Sequence, residues 1–119
     1  MKSIMQDKGS RQCYLCALLH NDRVPKIGLE EHHIFGGTAN RKQSEIYGLK
    51  VYLCPMHHRN GPEAVHRPDL NNNEKILHEA GQQAFMKWCM KATNCSRQQA
   101  LIKFRRIFGK NYLEEENDD

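Results

Sequence analysis

The 119-residue sequence has no long apolar run. Stretches such as Ala17-Leu18-Leu19 and Val51-Tyr52-Leu53-Cys54 fall far short of the roughly 18–20 residues that a membrane-spanning helix needs, which excludes that class. Core-forming residues are scarce too. Leu, Ile, Val and Phe together number 24, about a fifth of the chain and the poor edge of what sustains a hydrophobic core. Something besides apolar packing is expected to hold the fold. The opening Met1-Lys2-Ser3-Ile4-Met5-Gln6-Asp7-Lys8-Gly9 lacks the apolar centre of a secretory signal, so a cytoplasmic location is expected. The five cysteines are an odd set, and in a reducing compartment they are read first as metal ligands or free thiols. The length suits one domain, so a single compact unit is expected and a two-domain enzyme is not.

Charge is uneven. Five of the fourteen acids (Glu114, Glu115, Glu116, Asp118, Asp119) fall in the last six residues, so residues 1–113 carry eighteen basic against nine acidic side chains, a net +9. A basic body of that kind suits a polyanionic partner such as nucleic acid. Nothing calls for a membrane partner, and no pattern specifies an oligomeric state.

Along the chain, residues 1–12 are polar and unpatterned and are expected to form a flexible arm. The stretch 26–35, ending at Gly36-Gly37, and Leu49–Leu53, which alternates apolar and polar positions, predict two strands. The polar segment 37–48 between them predicts a long loop, giving a hairpin that needs a helix or a metal packed against it. Pro55 predicts a helical turn or two, limited by Gly61-Pro62. Apolar residues at helical spacing predict helices over about 73–91 and 96–108; Ser96-x2-Gln99 fits a capping box and Gly109 a stop. The like-charge run 114–119 is expected to be a disordered acidic tail. The whole reads as a small α+β domain.

Two constellations carry chemistry. Cys13-x2-Cys16 and Cys54-x2-His57 have the two-plus-two spacing of a closed tetrahedral site, and three thiolates with one imidazole select Zn²⁺. Such a structural zinc would staple the segment before the first strand to the turn after the second, a long closure of the kind a poor core needs. The second constellation is a concentration of histidines, five of seven lying between positions 32 and 66. His32 and His33 are neighbours on a strand and point to opposite faces, so they need different roles. His58, rotated about 100° from His57 on a helical turn, addresses something other than the cysteine site, and His66 is a candidate to complete a second metal site.

The combination of Cys13-x2-Cys16, His32-His33-Ile34, Gly36-Gly37 and Val51-Tyr52-Leu53-Cys54-x2-His57-His58 resembles the HNH nucleases of the ββα-metal (His-Me finger) fold. Within that family it looks most like the zinc-stapled phage-type proteins related to the recombination-enhancement nuclease. The resemblance spans about residues 13–66. It implies a zinc-stapled ββα-metal hairpin followed by two C-terminal helices, with metal-dependent hydrolysis of DNA phosphodiester bonds as the activity. It also implies His33 as general base, and His32 and His58, with His66, as ligands of a catalytic divalent ion: Mg²⁺, Mn²⁺ or a softer metal. Arg59 and Arg67 would contact phosphates, with Arg41 and Lys42 nearby. The family usually carries an asparagine before the second strand that braces the loop holding the base; Tyr47-Gly48-Leu49 stands there instead, so either bracing comes from elsewhere or activity is weak. A non-catalytic zinc-containing module that binds nucleic acid is the alternative, and DNA against RNA is left open.

Overall fold

The computed structural model describes residues 1–113, and the acidic run 114–119 lies outside the described residues. The order is helix α1 (Tyr14–His20), strand β1 (Glu30–His33), helix α2 (Thr38–Tyr47), strand β2 (Lys50–Leu53), a short wide helical turn at Met56–Asn60, then helices α3 (Asn73–Thr93) and α4 (Arg97–Phe108). The architecture is α+β, and among the described residues its one sheet is the antiparallel pair β1–β2, in register His32↔Val51 and His33↔Lys50. Among the described residues, no helix is long and apolar enough to cross a membrane.

Three local differences from the sequence expectation bear on the site. The segment between the strands is not a loop: residues 38–47 form α2, ended by Gly48 in the left-handed region (φ 69°). Its apolar stripe is minimal, with Ile46 facing solvent, so helical periodicity is invisible in it; buried Ser44 anchors it instead. Ser44 Oγ accepts from the Phe35 amide (3.0 Å) and donates to the Phe35 carbonyl (3.2 Å).

Residues 1–12 are not a free arm. Ile4 N–H donates to the Gly48 carbonyl (2.9 Å), Ser3 Oγ donates to the Lys50 carbonyl (2.6 Å), and Tyr52 N–H donates to Gln6 Oε1 (2.8 Å). They satisfy the edge of β2 that β1 does not cover, the service a third strand would give. A Cβ at Gly48 would run into the Lys2 carbonyl oxygen, so this close approach, like the positive φ, requires glycine.

The first expected strand shrinks to four residues, because Gly28 (φ 72°) turns the chain just before it. A short helix, α1, precedes it, capped by Cys13, whose Sγ accepts from the Cys16 amide.

Helices α3 and α4 lie at 73–93 and 97–108, against 73–91 and 96–108 from periodicity, and Ser96 and Gln99 make the reciprocal capping box. They pack over the sheet end through an aromatic cluster. Phe35 meets Phe108 at 4.7 Å, Tyr112 at 5.0 Å and Phe104 at 5.4 Å between ring centroids, and stacks on His78 at 5.3 Å. Fully burying a ring such as Phe35 contributes about 1.5–3 kcal/mol, which fixes the chain two residues after His33. Buried Gln82 ties the C-terminal segment to α3, donating to Asn111 Oδ1 (2.8 Å) and accepting from Tyr112 N–H (2.7 Å). Cys89 is buried on α3 with its sulfur 3.8 Å from that of Cys95.

Candidate functional site

Both constellations assemble, on opposite sides of one short turn. Pro55 starts the turn, and the amides of His57 and His58 both donate to the Cys54 carbonyl (3.0 and 2.9 Å). The two imidazoles therefore leave the turn in different directions. His57 joins Cys13, Cys16 and Cys54; His58 joins His32 and His66.

In the first cluster, His57 Nδ1 lies 3.6, 3.3 and 3.4 Å from the sulfurs of Cys13, Cys16 and Cys54, and the Cys16 and Cys54 sulfurs are 3.8 Å apart. Ligands around a tetrahedral zinc at ordinary bond lengths stand about 3.6 Å apart for sulfur to nitrogen and about 3.8 Å for sulfur to sulfur. The donor set fits such an ion. His57 Nε2 lies 2.9 Å from Glu63 Oε1. A carboxylate only accepts, so Nε2 carries the proton and the Nδ1 lone pair faces the thiols. Glu63 also takes His20 Nε2 at 2.7 Å. Burial, then the neighbouring Cys13 and Cys54, push the Cys16 thiol up to about 12. Crowded thiolates repel, and a divalent cation offsets that repulsion while releasing protons.

The second cluster lines a cleft of about 240 Å³ whose walls include His33, Gly36, Arg41, Arg59 and Glu74. His58 Nδ1 donates to Glu30 Oε1 at 2.6 Å, which turns its Nε2 lone pair towards His66 Nε2, 3.1 Å away. Two imidazole nitrogens on one ion stand about 3.0 Å apart in octahedral and about 3.4 Å in tetrahedral coordination. His66 reaches this place although Gly61-Pro62 ends the helical turn, because the chain folds back: Val65 and His66 amides donate to the His57 and His58 carbonyls (2.8 and 3.2 Å). His32 packs edge-on to both rings, at 5.3 and 5.5 Å between centroids. Burial, then the charges of His58 and His66, lower its pKa to about 3, so it is a neutral imidazole, the ligand form, at any cellular pH.

His33 turns away from that trio, as strand alternation requires. Its Nε2 lies 2.8 Å from Glu45 Oε1 and 3.9 Å from Glu31 Oε1. Lys50 Nζ contacts both Glu45 oxygens, at 3.1 and 3.0 Å, and Glu31 Oε2 at 3.3 Å. The hydrogen bond to His33, then those from Lys50, hold the Glu45 carboxyl down at about 2.

Of the expected phosphate contacts, Arg59 lines the cleft, whereas Arg67 lies outside its lining with Nε 3.6 Å from Asp69 Oδ1. Arg41, carried there by α2, also lines the cleft. A larger groove of about 990 Å³, between the N-terminal segment and β2, includes none of the histidines. The sequence reading missed Glu30, Glu45 and Glu63. Each is exposed or half-buried and lies far in sequence from, or out of pattern with, the histidine it serves, so no spacing rule could have found it.

Comparison with protein-family models, curated proteins and solved structures returns no match.

Proposed function

We propose that this chain is a metal-dependent endonuclease of the HNH, ββα-metal kind, hydrolysing DNA phosphodiester bonds, with a structural zinc at Cys13, Cys16, Cys54 and His57. The observation that carries the reading is the trio His32, His58 and His66 converging on the floor of a cleft that His33, Arg41 and Arg59 also line. A closed cysteine-rich site beside an open all-imidazole one divides the work between holding the fold and exposing a cation to substrate. The +9 balance of residues 1–113 supports a polyanionic substrate.

A divalent ion held by His32, His58 and His66, with imidazole-rich ligation favouring Mn²⁺ or a softer metal over Mg²⁺, would supply Lewis-acid stabilisation of the scissile phosphate and its leaving oxygen. The chain's own residues do the rest. With Nε2 protonated, His33 keeps its lone pair on Nδ1 and takes a proton from the attacking water. Arg41 and Arg59 orient the phosphate from two sides with charge-assisted hydrogen bonds. The Cys13–Cys16–Cys54–His57 site keeps the turn bearing His58 at the end of β2.

Plasmid cleavage by wild type and His33→Ala, across a panel of divalent metals, tests this. His33→Ala is expected to keep its fold and zinc while losing roughly 10²–10⁴-fold in rate, the usual worth of a general base. A variant as fast as wild type refutes the base assignment. A wild type that binds DNA but cuts under no metal replaces the nuclease with a nucleic-acid-binding zinc module.

A further inference from the structure

We infer that Glu45 is the positioning residue for His33, holding the ring's tautomer and direction from the end of α2; the inference rests on the nuclease reading above. The segment where the resembled family braces its base with asparagine has no asparagine here, and the geometry supplies a substitute in two parts. Ser44 pins the backbone of Phe35, two residues beyond His33, as donor and acceptor at once. Glu45, the next residue, reaches the His33 ring itself at 2.8 Å.

The carboxylate is itself held. Lys50 Nζ bonds both of its oxygens, and Lys50 is buried and directly opposite His33 in the strand register. Glu31, His33 and Glu45 together have enough donors for a cation. The Lys50 ammonium already lies 3.0–3.3 Å from both carboxylates and supplies that positive charge, so the group serves the imidazole and not a second ion. The end of α2 that carries Glu45 is fixed by the Leu49 amide on the Ser44 carbonyl (2.8 Å) and by Gly48 at the helix stop. A carboxylate accepting from Nε2–H leaves the Nδ1 lone pair for water and stabilises the imidazolium as the proton arrives. Glu45 touches no substrate; it acts through His33.

The test uses the full zinc-loaded chain with Mn²⁺ as the added metal, in wild type, Glu45→Ala and Glu45→Gln. Expected for Glu45→Ala is a fall in kcat of about 10–100-fold, part of what the base supplies, with KM for DNA and metal content unchanged. Glu45→Gln keeps an oxygen on Nε2–H and recovers part of the rate. Proton–nitrogen correlation spectra of His33, recorded on the zinc-loaded chain before Mn²⁺ is added because that paramagnetic ion would broaden the signals, are expected to show the Nε2–H tautomer in wild type and Glu45→Gln, and a mixture in Glu45→Ala. A Glu45→Ala enzyme with wild-type kcat, or an unchanged His33 tautomer, overturns the role of Glu45 while leaving the nuclease reading standing. A wild type that cuts nothing overturns that reading instead, and the spectra, which need no activity, then still decide whether Glu45 holds the ring.

Discussion

Replacing Glu30 by alanine is expected to weaken the added divalent metal and leave the zinc alone. His58 is buried, and its Nδ1–H has Glu30 Oε1 at 2.6 Å, the short range of a charge-assisted bond. That same bond is the main reason the Glu30 carboxyl sits below its ordinary range. Removing the carboxylate takes away the group that sets the tautomer of His58, aims its Nε2 and raises its basicity. Such outer partners of a ligating histidine are worth about 10–100-fold in metal affinity, or about 1.4–2.7 kcal/mol. The Glu30 side chain is itself 45% exposed, so water can take its place on the His58 Nδ1–H and the fold should lose no more than about 1 kcal/mol. Glu63→Ala is the mirror experiment, since Glu63 takes His57 Nε2 at 2.9 Å on the other face of the turn. It is expected to speed zinc loss to a chelator and to leave the added metal's affinity intact. Calorimetric titration of Mn²⁺ and chelator-driven zinc release, on both variants, separate the two sites. If Glu30→Ala binds Mn²⁺ as wild type does, or if each variant weakens both metals equally, the assignment of one carboxylate to each histidine is wrong.

Other outcomes follow from single features. Cys54→Ser removes one of the four proposed zinc ligands and should abolish both zinc binding and the cooperative melt, because a structural site contributes folding free energy directly; metal analysis with calorimetry checks it, and a zinc-free protein with a sharp melt refutes it. Gly48→Ala should cost about 1–3 kcal/mol in denaturant unfolding, from the positive φ and the Lys2 carbonyl together. Deleting residues 1–3 should shrink that cost, and an equal cost in both backgrounds removes Lys2 from the account. Burial lowers the pKa of His78 from its ordinary value. The unfolded chain then binds a proton that the folded one refuses, so this contribution is complete above about pH 6.5 and falls as the pH drops below it. His78→Gln should flatten the stability–pH curve on that acid side, and a slope equal to wild type's refutes the assignment.

What the sequence determined by itself is what short spacing and regular periodicity carry. Residues three apart at a chain turn reach one ion, so Cys13 with Cys16 and Cys54 with His57 are readable as pairs wherever the pairs end up. Helices α3 and α4 are readable because their buried positions recur every three or four residues and Ser96 caps the second. Strand alternation alone requires His32 and His33 to part company. The tertiary structure decided whatever depends on groups meeting across the chain. Helix α2 carries too little apolar pattern to announce itself, and its anchor, Ser44 on the Phe35 backbone, exists only once β1 and α2 are in place. The N-terminal segment looks like an arm until β2 offers it an edge with unsatisfied amides and carbonyls. Glu30, Glu45 and Glu63 become partners of His58, His33 and His57 through strand register and the fold-back after Gly61, at separations of 28, 12 and 6 residues. Ligand pairs are local and leave a mark in the sequence; the carboxylates that orient them are recruited by the fold, and their positions are set by packing that no local pattern encodes.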